Sequence, residues 1–131
     1  LSCAAGYYSI LEIEKNNAPV KAGRAGDRLC EGLKKIITRY RLPFVAFNHG
    51  SICHLETSGV MLLDITNPNI FTELSPRKHM MEEMGAAFMA EGIISLAGSR
   101  LYTSMADTND VIDEALDGFD RVFQHIEGVD R

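Results

Sequence analysis

The C-terminal stretch from Asp107 to Ile126 carries the pattern that most constrains the fold. Thr108 or Asp107 can cap the start of a helix there, because both side chains accept hydrogen bonds from free amide groups. Apolar residues then recur at helical spacing and make one face: Val111, Ile112, Ala115, Leu116, Phe119, Val122, Phe123 and Ile126. A helix with one apolar face packs on a core that other segments must help to build.

Two more helices are predicted at the other end of the chain, up to about residue 40. Leu1 to Glu14 has a helical face of Ala4, Tyr7, Tyr8, Ile10 and Leu11. Asn17 can cap the second helix, and Pro19 falls in its first turn, where no amide donor is needed. The second helix runs to about Tyr40, where Leu42-Pro43 ends it, and its buried positions are Leu29, Leu33, Ile36 and Ile37.

The middle of the chain alternates strand and helix signals. Phe44 to Glu56 has strand composition around Gly50, which indicates two short strands joined by a turn, or one strand with a bulge. Val60 to Ile65 is a further strand candidate. Ser75 as N-cap and Pro76 at the first helical position predict a helix that Gly92 can end. Its predicted buried stripe is Met80, Met81, Met84, Phe88 and Met89.

Two short strands are predicted next, Ile93 to Ala97 and the segment that starts at Arg100, with Gly98-Ser99 between them. The layout predicts an α+β fold: a small, mostly antiparallel sheet of three or four strands with helices on one face, preceded by a long helical segment. We expect one domain over 1–131, with two helices leading in over 1–40 and the sheet with its covering helices over 41–131.

Charge and cysteine content narrow the functional classes. The net charge is −5 and the basic residues are scattered, which argues against nucleic acid or an anionic membrane surface as the main partner. The apolar runs are far shorter than the roughly 20 residues that a membrane span needs. Without a secretory signal, the three cysteines are expected to be reduced thiols in a cytoplasmic protein.

His49, Cys53 and His54 lie close together in the sequence and suggest zinc. However, Cys53 and His54 point to opposite faces of a strand, and no CxxC or HExxH pattern completes a ligand set, so we expect a buried cysteine beside surface histidines and no metal site. A Cys53 nucleophile has no supporting motif. The acidic residues of the last helix are expected to complement the helix dipole or form a solvated face: Asp110, Asp113, Glu114, Asp117 and Asp120.

Arg100 is the one charged residue that local chemistry singles out. It follows the Gly98-Ser99 turn at the start of a short strand, where its planar guanidinium can bind a carboxylate or phosphate through two hydrogen bonds. The alternative is a surface ion pair with one of the many acidic residues.

Two stretches together resemble class III pyridoxal-phosphate aminotransferases. "LSCAAGYYSILEIEKNNAPVKAGRAGDRLCEGLKKI" resembles the helices that lead from the large domain of that family into its small domain, and Gly26 to Leu33 matches a "GERLxxGL" pattern. "FMAEGIISLAGSRLYTSMADTNDVIDEALDGFDRVF" resembles the closing segment of the family, with spacing closest to glutamate-1-semialdehyde aminomutases. The resemblance implies the C-terminal small domain, which closes over the active site and shapes the substrate pocket.

The resemblance also implies what the chain lacks and what surrounds it. The cofactor-binding lysine of the family lies upstream, in the large domain, and no lysine of this chain has a matching context: Lys15, Lys21, Lys34, Lys35 and Lys78. Pyridoxal phosphate is therefore expected only in the full-length parent, and the chain alone is expected to be inactive. Arg100 aligns with an arginine that binds a substrate carboxylate in many members, and the resemblance implies Ser99 beside it as a second substrate contact. Expected partners are the large domain, a second subunit in a homodimer, and an amino acid or amine substrate.

Two rival hypotheses make different predictions. A free-standing α+β ligand-binding or protein-interaction module would start naturally near Leu1 and have a self-contained core. A piece of a larger enzyme, which the helix already under way at Leu1 favours, would leave an apolar patch exposed. A small cysteine hydrolase would need Cys53 to react rapidly with an alkylating agent.

Overall fold

The computed structural model describes residues 2–58, 66, 70–96 and 98–126. Over these residues the chain forms four helices and three strands, in this order: α1 (Ser2–Asn16), α2 (Ala18–Arg39), β1 (Val45–His49), β2 (Ile52–Glu56), α3 (Ile70–Ala90), β3 (Arg100–Tyr102) and α4 (Asn109–Phe123). The predicted α+β class, with a long helical segment ahead of a small antiparallel sheet, is confirmed.

The sheet has the strand order β1-β2-β3, and both described pairings are antiparallel. β1 and β2 form a hairpin that turns at Gly50-Ser51, with Gly50 at a φ of 58°. Of the two alternatives for Phe44 to Glu56, two strands joined by a turn is therefore correct. Alternation along the strands places Ala46, Cys53 and Leu101 on the buried face, against α2.

The core lies between α2, the buried face of the sheet and α4. The four positions predicted to be buried in α2 are buried, which confirms the pattern of Leu29, Leu33, Ile36 and Ile37. α4 begins after Thr108, whose Oγ1 accepts a hydrogen bond from the Val111 amide at 3.5 Å, so the predicted cap is confirmed. Ile112, Phe119 and Phe123 of α4 are buried, whereas Val111 is exposed.

The start of α3 differs from the prediction. The helix begins at Ile70 rather than after a cap at Ser75, so Pro76 lies inside it and not in its first turn. Ser-Pro is a frequent helix start, but the preceding Glu73 and Leu74 are strong helix formers that extend the helix upstream. The side chains of Met84 and Phe88 are buried as expected.

Two members of the predicted methionine stripe are exposed. Met89 is 64% exposed, because it is turned about 100° around the helix from Phe88. Met80 is 36% exposed, although it lies one turn before Met84 on the same face. The expectation of burial for these two residues was wrong.

The predicted strand at Ile93 to Ala97 is not formed over residues 93–96; Leu96 makes only an isolated bridge to Arg100. The end of α3 explains this. Gly92 adopts a φ of 79°, and the Ile93 amide bonds back to the Phe88 carbonyl at 2.9 Å, as in a Schellman motif. Ile93 is thus held by the helix end and cannot extend the sheet. Gly92 ends the helix as predicted, and the strand candidate Val60 to Ile65 lies outside the described residues.

α1 packs differently from the expected amphipathic helix. No described residue of α1 is buried, and Tyr7, Tyr8, Ile10 and Leu11 are exposed; the main contact of the helix is with the following α2. Asn17 separates the two helices at a φ of 50° but makes no side-chain cap bond, although Pro19 does lie in the first turn of α2. An apolar helix face is therefore left uncovered by the described part of the chain.

Candidate functional site

The candidate site lies on the sheet face opposite the core, here called the outer face, which carries the side chains of Phe47, His54 and Arg100. The strand register places Phe47 opposite His54, and His54 opposite Arg100, so these three residues form one row across all three strands. Next to this row, His49, Ile52 and Tyr102 form a second one. Phe47, Ile52 and Tyr102 are exposed, whereas a packed sheet face would bury such side chains.

Arg100 is held by its backbone and free at its side chain. Its N–H donates to the Leu96 carbonyl at 3.0 Å, and its carbonyl accepts from the Leu96 N–H at 2.8 Å. The preceding residue, Ser99, is 6% exposed, and its carbonyl accepts from the Leu55 N–H at 2.7 Å. Within the described part of the chain the Arg100 guanidinium is exposed and makes no ion pair or hydrogen bond. The strand start is therefore rigid, and its cation is available to an anion from outside.

Glu56 is the acidic residue on the outer face that could have formed an ion pair with Arg100. It lies on the same face, one pleat beyond His54, and is 7% exposed. One of its carboxylate oxygens accepts from the Ser58 N–H at 2.7 Å and from the Ser58 hydroxyl, while Oε2 has no hydrogen-bond partner. Glu56 is thus turned toward its own strand end, and the ion pair considered as the alternative for Arg100 is not formed among the described residues.

His54 and Phe47 give the row an aromatic part. Their ring centroids are 5.0 Å apart with an interplanar angle of 39°, so the imidazole rests beside the phenyl ring. A guanidinium next to stacked rings suits a ligand that joins a carboxylate to an apolar body. The sequence indicated Arg100 but not its two neighbours in the row, because cross-strand neighbours depend on the register of both strand pairs, β1 with β2 and β2 with β3.

Cys53 cannot act as a nucleophile in this arrangement. Its Sγ lies on the buried face, 3.5 Å from the Gly26 carbonyl oxygen, while His54 lies on the outer face. Burial, with smaller effects from Cys30 and Asp27, raises the pKa of the Cys53 thiol to about 11, so the thiolate is scarce at neutral pH. Across the described residues, no three His, Cys, Asp or Glu side chains are grouped so as to hold a metal ion.

The four lysines whose side chains the structure describes do not fit a covalently bound cofactor, and the side chain of Lys78 lies outside the described part. Lys15 is exposed on α1 and pairs with Glu12 at 3.1 Å, and Lys21, Lys34 and Lys35 are exposed along α2. A lysine that forms a Schiff base needs a desolvated or cationic pocket that lowers its pKa, and these four lie on a solvated surface. No step of cofactor chemistry is therefore assigned to them.

Two carboxylates on the acidic face of α4 form ion pairs with arginines of α2. Arg28 of α2 donates to Asp113 from Nε at 3.0 Å and from Nη2 at 2.7 Å, and Arg39 donates to Asp120 at 2.7 Å. These carboxylates link two helices, a role not expected from the sequence, although the opposite charges on the two helices were a visible signal.

A cleft of about 380 Å³ is a second candidate that sequence reasoning missed. It lies between the end of α3, the end of β3 and the first half of α4. Its floor is formed by buried core residues, among them Leu101, Ile112 and Phe119, and its walls include Ile94, Tyr102 and Val111.

Comparison with known proteins finds a similar fold in one part of a solved structure. No protein-family model matches the chain. No curated protein matches it either. Among solved structures, the crystal structure of an omega-transaminase from Sphaerobacter thermophilus is similar, with a TM-score of 0.61 and 16% sequence identity over 79% of this chain.

The chain spans only 23% of the length of that transaminase. None of the described helices combines the length and the apolar character needed to cross a bilayer. At this level of identity the likeness concerns the fold: the chain folds like one part of an omega-transaminase.

Proposed function

We propose that this chain is the C-terminal small domain of a pyridoxal-phosphate-dependent aminotransferase of class III. The observation that carries the proposal is the structural likeness to an omega-transaminase. The matched region covers 79% of this chain but only 23% of the transaminase chain. The sequence resemblance at both ends of the chain points to the same family. The parent enzyme would transfer an amino group between an amino acid or amine and a carbonyl acceptor, with the cofactor as electron sink.

The contribution of this chain in that enzyme is to bind and enclose the substrate. The large domain would supply the lysine and the phosphate contacts, since the described lysines of this chain are exposed on α1 and α2. The outer face would close over the active site, and Arg100 would bind the substrate carboxylate through its free guanidinium. Ser99, whose carbonyl is bonded to Leu55, would contribute by holding Arg100 in place.

Finer features of the proposal come from the sequence resemblance. We place the parent nearest to the glutamate-1-semialdehyde aminomutase-like members, as a cytoplasmic homodimer. The exposed apolar face of α1, with Tyr7, Tyr8 and Leu11, supports a larger assembly, because apolar area of this kind is usually covered by a partner surface. In the parent, the large domain would cover it.

The first experiment asks whether the chain by itself is a cofactor-binding domain. The isolated chain is mixed with pyridoxal phosphate, reduced with borohydride and mapped by peptide mass spectrometry. We expect sparse labelling spread over the exposed lysines and no absorbance band of a lysine-bound cofactor. Stoichiometric labelling of a single lysine, lost when that lysine is changed to arginine, would contradict the proposal.

The second experiment uses the complete protein of which this chain would be part. It should bind pyridoxal phosphate and transfer amino groups, and deletion of the residues corresponding to 41–131 should abolish transfer while the large domain still binds the cofactor. Transfer that survives the deletion would leave this chain as a separate ligand-binding or interaction module.

A further inference from the structure

The free edge of β3 opens directly into the cleft beside α4. In an antiparallel pair, alternate residues of a strand bond to the neighbouring strand and the others turn away. Ser99 accepts from Leu55 at 2.7 Å and Thr103 donates to Ser51 at 2.9 Å, so these residues face β2. Arg100 and Tyr102 therefore face the free edge, where Arg100 is already bonded to Leu96. The N–H and carbonyl of Tyr102 are bonded to no described residue.

The cleft occupies the place where a fourth strand would continue this edge. Continuing the bridge between Leu96 and Arg100 would put Ile94 opposite Tyr102, but the helix end holds Ile93 and the two segments diverge. The diverging segments form two walls of the cleft. Ile94 is left 83% exposed, the highest value among the exposed large apolar residues described. The edge thus combines unpaired backbone groups with an apolar cavity.

The described charged residues that line the cleft are all acidic. Its described lining includes the carboxylates of Glu91, Asp107 and Glu114 and no Lys, Arg or His. Glu91 is paired with Arg121 at 2.7 Å, and Asp107 accepts from the Ser104 N–H at 2.6 Å. Glu114 is exposed and makes no hydrogen bond or direct ion pair within the described part of the chain, although it interacts electrostatically with Arg121. The lining therefore favours a cation, and Glu114 is the carboxylate left to contact it.

We propose that this cleft binds an extended, apolar peptide segment with basic residues by strand addition at Tyr102. Main-chain bonds to Tyr102 provide the pairing, as in other proteins that extend a sheet with a peptide. An apolar side chain of the segment fills the cavity between Ile94 and Val111, where burial of apolar area stabilises the complex. A lysine or arginine of the segment then reaches Glu114. The inference does not rest on the proposed function, and its test uses no cofactor.

The test is a titration of the ¹⁵N-labelled chain, followed by two-dimensional NMR, with the peptide Ac-Lys-Val-Val-Val-Lys-NH₂. Two control peptides test the charge and the main-chain pairing separately: Ac-Glu-Val-Val-Val-Glu-NH₂ reverses the charge, and Ac-Lys-Val-Pro-Val-Lys-NH₂ removes a main-chain donor. We expect saturable shifts at the amides of Ile94, Tyr102 and Val111, and much weaker binding of both controls.

Two variants test the residues named. Glu114→Gln should weaken binding of the basic peptide about two- to fivefold, the range for an exposed ion pair. Glu31→Gln, an exposed carboxylate on α2, is the matched control and should leave the affinity unchanged. Equal affinity for the acidic peptide, shifts located away from the cleft, or no saturation at millimolar peptide would overturn the proposal. So would a Tyr102 amide already protected from hydrogen exchange in the free chain, since the edge would then be closed by the chain itself.

Discussion

His54 of β2 lies directly opposite Arg100 of β3, on the sheet face that the described helices leave open. The two side chains are neighbours because the antiparallel pairing of β2 with β3 aligns them, although 45 residues lie between them in the sequence. With Phe47 stacked beside His54 at 5.0 Å, the row ends in a cation that has no partner within the described residues. This arrangement leaves Arg100 available for binding rather than for stability.

The first prediction concerns Arg100. Arg100→Ala should leave the melting temperature of the chain unchanged, because the guanidinium is exposed and unpaired among the described residues. In the full-length enzyme it should raise KM for carboxylate substrates about tenfold to a hundredfold, the cost of losing charge-assisted hydrogen bonds. Simple amines should be unaffected, and Arg100→Lys should recover part of the loss. Equal changes for both substrate classes would remove the proposed carboxylate contact. Arg24 is likewise exposed but lies on α2, so Arg24→Ala serves as the control.

The second prediction separates the two faces of α3. Phe88 is fully buried and meets the rings of Phe119 and Phe123 at centroid distances of 4.9 Å and 5.9 Å. Phe88→Ala should lower the free energy of unfolding by about 3–5 kcal/mol, through lost burial and the cavity left behind. Its neighbour Met89 is exposed, and Met89→Ala should change the same quantity by less than about 0.5 kcal/mol. Urea denaturation followed by circular dichroism measures both, and similar losses would place Met89 in the core after all.

The third prediction concerns a close approach between α2 and the hairpin turn. A Cβ added at Gly26 would overlap the carbonyl oxygen of Gly50 and lie 3.2 Å from Thr103 Oγ1. Gly26→Ala should therefore destabilise the chain by about 1–3 kcal/mol, although alanine is the better helix former. Gly6→Ala in α1 meets no atom within 4 Å and should be neutral or stabilising. Thermal denaturation of the two variants checks this, and a stabilised Gly26→Ala would show that the turn does not contact α2.

The fourth prediction concerns thiol reactivity. Cys3 is exposed and Cys53 is buried, with burial raising the pKa of the Cys53 thiol to about 11. At neutral pH iodoacetamide should modify Cys3 in the native chain, and should modify Cys53 and Cys30 only after unfolding. Mass spectrometry of timed samples reads this directly. Rapid modification of Cys53 in the native chain would instead favour a cysteine hydrolase.

The same raised pKa predicts a pH dependence of stability. A thiol that loses its proton more readily when unfolded favours the unfolded state once the pH exceeds its ordinary pKa. The free energy of unfolding should therefore fall as pH rises from about 9 toward 11. Cys53→Ala should remove part of this fall, as measured by urea denaturation at several pH values.

The fifth prediction concerns the bond between Arg28 and Asp113. The hydrogen bonds from Arg28 hold the pKa of the Asp113 carboxyl below its ordinary value; desolvation opposes this shift, and the charge of Arg28 adds a smaller lowering effect. The stabilisation is therefore complete above the unfolded pKa, about 3.9, and is lost as pH falls through the lower folded value. Asp113→Asn should lower the melting temperature slightly at pH 7, and the difference from the wild type should disappear in acid. Asp117→Asn on the same helix is the control, and an equal effect there would indicate helix charge rather than the ion pair.

Local signals in the sequence determined several elements before any packing was known. The apolar spacing of α2 and α4, the Thr108 cap and the end of α3 at Gly92 depend on residues within a few turns of each other, so they could be predicted. The strand character around Gly50 belongs to the same group, but the sequence left open a turn or a bulge there, and the pairing of β1 with β2 decided for the turn. The small antiparallel sheet with its helices follows from these elements.

Tertiary structure decided what the elements contact. The sequence of Ile93 to Leu96 suits a strand, yet the helix end binds Ile93, and the backbone groups of Tyr102 that face away from β2 have no partner among the described residues. The apolar side chains of α1 suit a packed helix, yet they are exposed, because no described segment lies against them. Likewise Arg100 could be identified from its position after a turn. Strand register, however, decides that it lies in a row with His54 and Phe47 and that its guanidinium has no partner among the described residues. Local preferences act over a few residues, whereas pairing and burial depend on which distant segment occupies the neighbouring space.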